Sequence, residues 1–386
     1  MRLCIVGGAL QGMEATFLGK KADFETVVLD RKPTAPALSF CDEPHVLNPL
    51  EDPDEARRVF ESCDAVIPAC EELDLLRSLD SMLSGSSVEF LFDLESYGVS
   101  CSKRRSNEVM SSVGVPLPQP WPECGFPVIV KPSSQSGSVG VSVAFDQEDV
   151  ERGLETVRAL GDEPVIQEFV HGRSMSVEVI GNGDTARSFV TTEVMLDHNY
   201  DCKMVRCFPD LLSPEEDELF GKIGVDVAEA IGLKALMDVE AIDTPKGLRV
   251  LEIDARIPSQ TPAAILTGTG INLLEELVAS RTGRETGRTN SGRSGIYWHM
   301  YQKDGVLRTN GEKEFGHVRS PRMERGLFGS DDSITDYEPG SRDWHGTFMV
   351  SADSPEEAEA RRESVINKII ETCQVDTYID GTPDVI

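Results

Sequence analysis

The stretch Leu251-Glu252-Ile253-Asp254-Ala255-Arg256 decides the fold, together with Met237-Asp238-Val239-Glu240 before it. The two stretches predict neighbouring β-strands that bring Asp238, Glu252 and Asp254 into one place, with Arg256 beside them. Three carboxylates repel one another unless a cation lies between them, and oxygen-only ligands suit Mg²⁺. We therefore predict a magnesium site, beside which the arginine would bind a phosphate. The alternative is a solvated acidic hairpin, since the whole chain is acidic.

A second stretch, from Val128 to Val141, predicts a loop that binds phosphate. An apolar strand delivers Lys131, and serines and glycines follow it. Gly137 and Gly140 allow the positive φ that a tight anion-binding loop needs. The loop is not a P-loop, because no Gly-Lys-Ser/Thr sequence follows, and an ordinary hairpin turn is the alternative. A phosphate loop and a magnesium site in one chain support each other.

The chain is strongly acidic. It has 386 residues, of which 67 are Asp or Glu and 37 are Lys or Arg, and its net charge is −30. No basic face is available to neutralise phosphates, so nucleic acid is not an expected partner. Because salt would screen the mutual repulsion of acidic residues spread along the chain, we hypothesise a halophilic host.

Composition also bounds the compartment and the class of protein. Hydrophobic residues make up 39% of the chain, which is typical of a globular protein. No stretch predicts a transmembrane span or a signal peptide, so we expect a soluble, cytoplasmic protein without a membrane partner. The nine cysteines form no Cys-x-x-Cys pair, which argues against structural zinc and fits a reducing cytosol.

The first 95 residues predict a parallel, doubly wound sheet, because short apolar strands alternate with helical stretches. Gly7 and Gly12 lie on the frame of a dinucleotide-binding loop, and Asp30 ends the second strand. The middle position of that frame is Ala9, whose Cβ hinders the approach of a pyrophosphate. A nucleotide-binding sensor or NAD-dependent oxidoreductase that uses only this domain is therefore the less favoured alternative.

Polar residues follow the strands of this sheet at their carboxyl ends, where open sheets bind ligands. Gln11 follows the first strand, and Glu71 and Glu72 follow Ala65-Val66-Ile67-Pro68-Ala69. We expect these three side chains to contact a ligand. For the two glutamates the alternative is a helix N-terminus, where the helix dipole favours negative charge.

The order of these pieces resembles the ATP-grasp carboxylate–amine ligases over the whole chain. The stretches that carry the resemblance are Ser102-Lys103, Val130-Lys131-Pro132 with its loop, Gln167 to Gly172, and Glu252 to Arg256. The resemblance implies an α/β and α+β protein: an ATP-grasp fold with an N-terminal Rossmann-like parallel sheet and a mixed C-terminal domain. It also implies an enzyme that uses ATP and Mg²⁺ to form a carbon–nitrogen bond.

The resemblance implies three domains. A Rossmann-like domain would cover residues 1–95, an ATP-grasp domain 96–290, and a C-terminal α+β domain 291–386. The ATP-grasp domain would divide into a small clamp at 96–172 and a larger part at 173–290. The C-terminal domain shows no motif, and both dimerisation and completion of a substrate pocket are open for it.

Nucleotide-binding roles also follow from the resemblance. Lys103 and Lys131 would bind the α- and β-phosphates, and Lys203 would lie on the loop that closes over the γ-phosphate. Glu168 and Val170 would lie in the hinge that recognises adenine. Catalysis would rest on Lys131, Lys203 and Arg256. The implied nucleotide-binding residues are, in full, Lys103, Lys131, Ser134, Ser136, Gly137, Ser138, Gln167, Glu168, Phe169, Val170, Glu178 and Lys203.

Two positions depart from the family pattern. The family usually has Asn where Asp254 stands, and an aspartate still supplies an oxygen to magnesium. Ser174 occupies the place where many members have a glutamate that binds ribose. Glu178 is the expected substitute for that glutamate.

Within the superfamily, the chain is most similar to the ligases of pyrrolysine biosynthesis, which join 3-methyl-D-ornithine to L-lysine. The similar stretches are Gly7 to Ala15, Asn199 to Lys203, and Ile253 to Pro262. The implied partners are L-lysine and a D-ornithine derivative, and a homodimer is a further expectation. An ATP-grasp ligase for another amino-acid or purine-pathway carboxylate is the alternative. The residues expected to contact the substrates are Gln11, Gly12, Glu71, Glu72, Glu193, Asp201, Arg206, Arg256, Ser259, Gln260 and Thr261.

Overall fold

The structure is a computed structural model, and it describes residues 1–137 and 139–383. Its contacts divide the chain into two units. Unit 1 comprises Met1–Leu94, Thr192–Leu211 and the described chain from Ile257 onward, and unit 2 comprises Glu95–Thr191 and Leu212–Arg256. In the described part of the chain, no helix has both the length and the apolar character needed to cross a membrane.

Strands alternate with helices near the start of the chain and dominate later. The strands are β1 (Arg2–Val6), β2 (Glu25–Asp30), β3 (Glu43–Val46), β4 (Ala65–Pro68), β5 (Glu89–Phe90), β6 (Val128–Pro132), β7 (Ser142–Ala144), β8 (Pro164–Glu168), β9 (Arg173–Gly181), β10 (Ala186–Leu196), β11 (Cys202–Cys207), β12 (Leu236–Asp243), β13 (Arg249–Asp254), β14 (Ser294–Lys303), β15 (Val306–Thr309), β16 (Arg322–Arg325), β17 (Asp332–Thr335), β18 (Asp343–Ala352) and β19 (Thr377–Asp380).

The helices pack on these sheets. They are α1 (Leu10–Lys21), α2 (Pro53–Glu61), α3 (Leu73–Leu83), α4 (Leu94–Ser100), α5 (Lys103–Ser112), α6 (Gln147–Ala159), α7 (Pro214–Ala230), α8 (Thr261–Thr269), α9 (Leu273–Thr282), α10 (Glu312–Phe315) and α11 (Pro355–Cys373). Two short 3-10 turns cover Pro36–Ser39 and Leu327–Gly329.

The first sheet of unit 1 is parallel, with the strand order β3-β2-β1-β4-β5. Its strands are short apolar runs buried on both faces, as parallel sheets require. The turn after β1 is tight. A Cβ on Gly12 would lie 2.0 Å from the carbonyl oxygen of Gly7, so only glycine fits where α1 packs against the turn. The parallel sheet predicted for the first 95 residues is confirmed.

The second sheet of unit 1 is mainly antiparallel and follows the order β11-β14-β18-β17-β16. β15 pairs with the end of β14, and β19 adds to β15 in parallel. Helix α11 covers a core that contains Trp298, Trp344 and Phe348. The mixed character predicted for the C-terminal region is therefore present.

Unit 2 contains two antiparallel arrangements. The small sheet has the order β7-β6-β8 and packs against α6. In the other, β12 lies between β9 and β13, and α7 packs on β9 and β12. A capping box starts α7. The Ser213 hydroxyl accepts a hydrogen bond from the Glu216 N–H, and the Glu216 carboxylate accepts one from the Ser213 N–H.

The two contact units are drawn differently from the predicted division into three domains. Unit 1 combines the first 94 residues with most of the chain after Arg256. Unit 2 is continuous except for Thr192–Leu211, which belongs to unit 1. The predicted boundaries at 95/96, 172/173 and 290/291 stay predictions.

Candidate active site

Unit 2 gathers acidic residues on one face of the β9-β12-β13 sheet. Asp238 pairs in register with Glu178 of β9 and with Asp254 of β13, and Glu240 pairs with Glu252. Because side chains alternate along a strand, these five carboxylates lie on the same face, which we call the carboxylate face. Glu178 is 0% exposed and Asp238 is 6% exposed.

Three cationic side chains lie at the carboxylate face. Lys103 Nζ contacts Glu252 Oε2 at 2.8 Å, and an Arg256 terminal nitrogen contacts Asp254 Oδ2 at 2.7 Å. Lys131 is 7% exposed, and its Nζ donates to the backbone oxygen of Leu251 at 3.4 Å. Lys103 is placed there by α5, which begins at this residue and is capped by the Ser102 side chain.

Burial raises the pKa values of the carboxyl groups on this face, and nearby positive charges lower them. Burial raises the pKa of Glu240 to about 8, with help from the carboxylates of Glu252 and Asp254. Burial, followed by the same kind of repulsion, holds the pKa of Asp238 well above its ordinary value. Burial also acts on Glu252, but the nearby charges of Lys103 and Lys131 outweigh it and lower the pKa of Glu252. The face therefore holds both proton-binding and ionised carboxyl groups.

The donor set of this face fits a hard divalent cation. The groups are all carboxylate oxygens, which are the ligands that Mg²⁺ prefers. Asp238 Oδ1 is buried and has no hydrogen-bond partner among the described residues. Two of the three predicted ligands, Glu252 and Asp254, instead contact Lys103 and Arg256. Within residues 1–137 and 139–383, no group of three or more His, Cys, Asp or Glu lies close enough to hold a metal ion.

Glu240 is a member of this face that was not among the predicted site residues. The signal was available, because Glu240 lies two residues after Asp238 on the same strand and must share its face. The structure pairs it with Glu252 across the strands. A β-bulge follows between Glu240 and Ala241 and shifts the register there.

The predicted phosphate loop follows β6. Gly137 and Gly140 both have positive φ, at +59° and +72°, as the loop prediction required. Lys103 Nζ donates to the Gln135 carbonyl oxygen at 2.9 Å, which ties α5 to the loop. Ser134 is already engaged, because its N–H and its hydroxyl both donate to Asp162 Oδ2, at 3.0 and 2.6 Å. Ser136 follows Gln135 in the same loop, and Ser138 lies outside the described residues.

The predicted adenine-binding stretch begins at the end of β8. Gln167 is buried in the strand, and Glu168 is its last residue. The Glu168 N–H donates to the Gln119 carbonyl oxygen at 2.8 Å, and the Phe169 N–H donates to the Pro127 carbonyl oxygen at 3.2 Å. Val170 lies in the connection to β9, as predicted for a hinge residue. Recognition of adenine by these groups stays a prediction.

Glu178, the expected ribose-binding residue, lies deep in the sheet. It is 0% exposed and accepts a 3.4 Å hydrogen bond from the Ser176 hydroxyl. Its register partner is Asp238. Full burial beside another carboxylate favours a place in the carboxylate face over a contact with ribose.

The predicted position of Lys203 is wrong. It does not lie on a loop: it is the second residue of β11, which pairs with β10 and β14, and its side chain is 2% exposed. Its Nζ donates to Asp380 Oδ1 and to the Gly381 carbonyl oxygen, both at 2.5 Å. The family resemblance implied a loop, but the turn before Lys203 ends at Asp201 and the chain then pairs as a strand. Its role toward ATP stays a prediction.

Three other predicted substrate residues of unit 1 make protein contacts. Asp201 is 6% exposed, and its Oδ2 accepts a 2.8 Å hydrogen bond from the Lys313 N–H. Arg206 contacts Glu193 Oε2 at 3.2 Å and Glu359 Oε1 at 2.5 Å. These contacts hold the three side chains in place around β10 and β11.

The predicted residues near the parallel sheet differ in exposure. Gln11 Nε2 donates to the Ile257 carbonyl oxygen at 3.2 Å. Glu71 and Glu72 are exposed beyond the carboxyl end of β4, and Glu72 contacts Arg31 at 3.3 Å. Glu72 is also the N-cap residue of α3, which agrees with the helix N-terminus that was their alternative interpretation.

Ser259, Gln260 and Thr261 form the start of α8. The Ser259 hydroxyl donates to Glu312 Oε2 at 3.1 Å. Gln260 has φ +72° and ψ −55°, a conformation that favours glycine. The Thr261 hydroxyl is buried and has no hydrogen-bond partner among the described residues. Strain and an unsatisfied hydroxyl in one segment are typical of a site that contacts a ligand.

Comparisons with known proteins agree with this geometry. The family model of the ATP-grasp domain matches residues 101–260, which contain every member of the carboxylate face. The 3-methyl-D-ornithine–L-lysine ligase of Methanosarcina barkeri is 38% identical over 314 residues, which are 81% of this chain and 83% of that protein. The ligase of the same name from Methanosarcina mazei is 36% identical over 363 residues, 93% of each chain.

A solved structure shows the same fold. The biotin carboxylase domain of 2-oxoglutarate carboxylase from Hydrogenobacter thermophilus, a dimer in complex with magnesium ADP, ADP and bicarbonate, matches with a TM-score of 0.72 at 18% identity. The match covers 95% of this chain and 89% of that one. The ATP-grasp fold predicted from the sequence is therefore confirmed, and the chain belongs to the family of the 3-methyl-D-ornithine–L-lysine ligases, which carry an ATP-grasp domain.

Proposed function

We propose that the protein joins the carboxylate of (3R)-3-methyl-D-ornithine to the ε-amine of L-lysine, with ATP as the activating substrate, in pyrrolysine biosynthesis. One observation carries the proposal: two ligases of that name are 38% and 36% identical to this chain over most of its length. The carboxylate face and its lysines support it, because they supply the charges that phosphoryl transfer needs.

The chemistry explains why ATP is required. A carboxylate is a poor electrophile, and an amine that attacked it would have to expel an oxide. Transfer of the γ-phosphoryl group to the carboxylate gives an acyl phosphate, whose phosphate leaves readily. The amine nitrogen then forms the isopeptide bond as phosphate departs. The protein's part is to position the reactants and to neutralise charge.

Asp238, Glu252 and Asp254 would hold Mg²⁺, and Glu240 on the same face adds a fourth carboxylate. Bound magnesium would neutralise the negative charge of the phosphate oxygens. Lys103 and Arg256 now balance Glu252 and Asp254. With those carboxylates holding the metal, both cationic side chains would be available to phosphate oxygens. Lys131 lies on β6, and its Nζ donates to the Leu251 carbonyl oxygen of β13. It adds a third positive charge.

The attacking amine must arrive without its proton. L-Lysine and the ornithine derivative each carry two ammonium groups, so carboxylates must bind one ammonium while another loses its proton. Of the predicted candidates, Glu193 contacts Arg206, Asp201 accepts from the Lys313 N–H, and the exposed Glu72 contacts Arg31. Glu71, Glu72, Glu193 and Asp201 therefore stay together as candidates for the ammonium contacts.

Four finer expectations accompany the proposal. Dependence on Mg²⁺ follows from the carboxylate face. A homodimer, a cytoplasmic location and a halophilic host stay predictions. Gel filtration with light scattering at high salt tests the dimer, and thermal unfolding at low and high salt tests the halophilic character.

The first experiment measures phosphate release with ATP, Mg²⁺, L-lysine and D-ornithine, which stands in for the methylated substrate. We expect ADP, phosphate and D-ornithyl-lysine, identified by mass spectrometry. ADP formation only with a different acid and amine would discard the substrate assignment and keep the ligase. Nucleotide binding without turnover under every pairing would contradict a ligase.

A further inference from the structure

Unit 1 contains a cluster of buried polar side chains that the mechanism above does not use. Its members come from distant parts of the chain, and we call it the Gln260 ring: Glu14, Gln260, Tyr297, His299 and Thr347. Each member is at most 3% exposed. Buried polar groups at this depth are stable only when their hydrogen bonds are satisfied.

The orientation of the Gln260 amide is fixed by its neighbours. Its Nε2 lies 3.3 Å from the Cys202 carbonyl oxygen and 3.4 Å from Glu312 Oε2, and both of these atoms can only accept. The same nitrogen lies 2.8 Å from His299 Nε2. Since an amide nitrogen donates, His299 Nε2 must accept, and the imidazole must be neutral. Burial agrees, because it lowers the pKa of His299 to about 3.

The remaining bonds then have one direction. The proton of His299 is on Nδ1, which donates to Thr347 Oγ1 at 2.6 Å. A second set of bonds holds the backbone of the same residue: Tyr297 donates to Glu14 Oε1, and the backbone N–H of Gln260 donates to Glu14 Oε2. The two sets of bonds fix Gln260 at its side chain and at its backbone.

These two sets of bonds surround a strained residue. Gln260 has φ +72°, which a residue with a Cβ rarely adopts unless its surroundings impose it. Two further hydrogen bonds hold the residues just before it: Gln11 donates to the Ile257 carbonyl oxygen, and the Ser259 hydroxyl donates to Glu312. Immediately after Gln260, α8 begins with Thr261, whose buried hydroxyl has no hydrogen-bond partner among the described residues.

We propose that the Gln260 ring is a positioning device for the amino-acid substrate. It holds the start of α8 so that the Thr261 hydroxyl, at the positive end of the helix dipole, meets the carboxylate that becomes activated. Glu14, Tyr297, His299 and Thr347 are thereby positioning residues that act through Gln260. The inference rests on the proposed function, since it takes the substrate to be an amino-acid carboxylate.

The test uses Thr347, which is two hydrogen bonds from the Gln260 side chain, through His299. Thr347→Val keeps the shape of the side chain and removes the hydroxyl, so the His299 Nδ1–H loses its acceptor. Thr347→Ser keeps the hydroxyl and loses only a methyl group. For Thr347→Val we expect kcat/KM for D-ornithine to fall about tenfold with the KM for ATP unchanged. For Thr347→Ser we expect a change within about twofold.

Tyr337→Phe is the control, because it removes the hydroxyl of a buried tyrosine of unit 1 outside the ring. Equal activity of the two Thr347 variants would overturn the proposal. A loss in Thr347→Val that raises the KM for ATP equally, or that Tyr337→Phe reproduces, would show a merely structural role and overturn it too.

Hydrogen exchange separates this inference from the proposed function. Amides of residues 257–269 should exchange faster in Thr347→Val than in Thr347→Ser or the wild type. If the wild type makes no product with any amino-acid pair, the proposed function fails, and the substrate role of the ring fails with it. Unchanged exchange in Thr347→Val, together with an active wild type, would overturn the ring alone.

Discussion

The carboxylate face of unit 2 and the Gln260 ring of unit 1 both bury glutamates, but they balance the charge differently. In the carboxylate face, Lys103 and Arg256 neutralise Glu252 and Asp254 through ion pairs. In the ring, Glu14 receives hydrogen bonds from Tyr297 and from the Gln260 backbone, and no cation is among its bonded partners.

The difference teaches what each region can do. An ion pair can exchange one partner for a ligand of the same charge, so a face built from ion pairs suits a site that binds phosphates and a metal. A directed set of hydrogen bonds cannot exchange a member without leaving a buried donor or acceptor unpaired. The ring therefore suits a part of the protein that must stay fixed.

The largest effect is expected at the centre of the carboxylate face. Asp238→Asn removes a proposed metal ligand and should lower the rate of phosphate release by about a thousandfold. The same change should not lower the melting temperature at pH 8 without magnesium, because burial and repulsion already disfavour the ionised form of Asp238.

Asp243→Asn is the control on the same strand, where the native carboxylate forms a 2.6 Å ion pair with Arg173 at the strand end. It should leave phosphate release nearly unchanged. An Asp238→Asn variant that keeps its activity would contradict the magnesium site. A variant that loses activity and also has a lower melting temperature would show that Asp238 has a structural role.

A smaller effect on the same face is expected for Lys131→Met, which keeps the stem of the side chain and removes its charge. We expect kcat/KM for ATP to fall about a hundredfold, because a buried positive charge near the phosphates is lost. Lys222→Met is the control, since Lys222 is exposed on α7 and pairs with Asp226. An unchanged KM and kcat for ATP in Lys131→Met would exclude Lys131 as a phosphate ligand.

The ring should show itself in the pH dependence of stability. Burial raises the pKa of Glu14 to about 8 from an ordinary value of 4.5. Between these values the folded state holds a proton that the unfolded state releases, so stability falls as pH rises toward 8. The slope from this one group is at most about 1.4 kcal/mol per pH unit.

Glu14→Gln removes that slope, and denaturant unfolding at pH 6, 7 and 8 measures the difference from the wild type. Glu108→Gln, an exposed glutamate on α5, is the control and should keep the wild-type slope. Parallel curves for Glu14→Gln and the wild type would mean that Glu14 is ionised throughout this range.

The smallest expected effect is that of salt on stability and activity. Salt screens exposed ion pairs but not hydrogen bonds in the core. Arg173→Gln breaks the half-exposed pair with Asp243 and should cost less than about 1 kcal/mol at low salt and nothing at 2 M KCl. The activity loss of Thr347→Val should be the same at both salt concentrations, because hydrogen bonds within a core are not screened. A Thr347→Val defect that disappears in high salt would contradict the ring.

Local patterns in the sequence predicted the carboxylate face well. β12 and β13 are close in the sequence and alternate strictly, so strand periodicity alone was enough to put Asp238, Glu252 and Asp254 on one face. Glu240 was missed although the same alternation includes it. The Gly137 and Gly140 conformations followed from the need for positive φ in a tight loop.

The rest depended on contacts that no local pattern encodes. Tyr297 and Glu14 are 283 residues apart, and Gln260 and Glu14 are 246 residues apart. Only the tertiary fold brings them together. The family resemblance placed Lys203 on a loop, yet strand pairing with β10 and β14 decided its position.

The burial of Lys203 has a consequence for biosynthesis. Its side chain is 2% exposed, and its ammonium group is balanced by Asp380 and Gly381, which leave the ribosome 177 and 178 residues later. Until then, closing the core of unit 1 around Lys203 would bury an unpaired charge, which is strongly unfavourable. Unit 1 should therefore finish folding only after Asp380 and Gly381 have been synthesised, and nascent chains stopped before Asp380 should remain sensitive to protease.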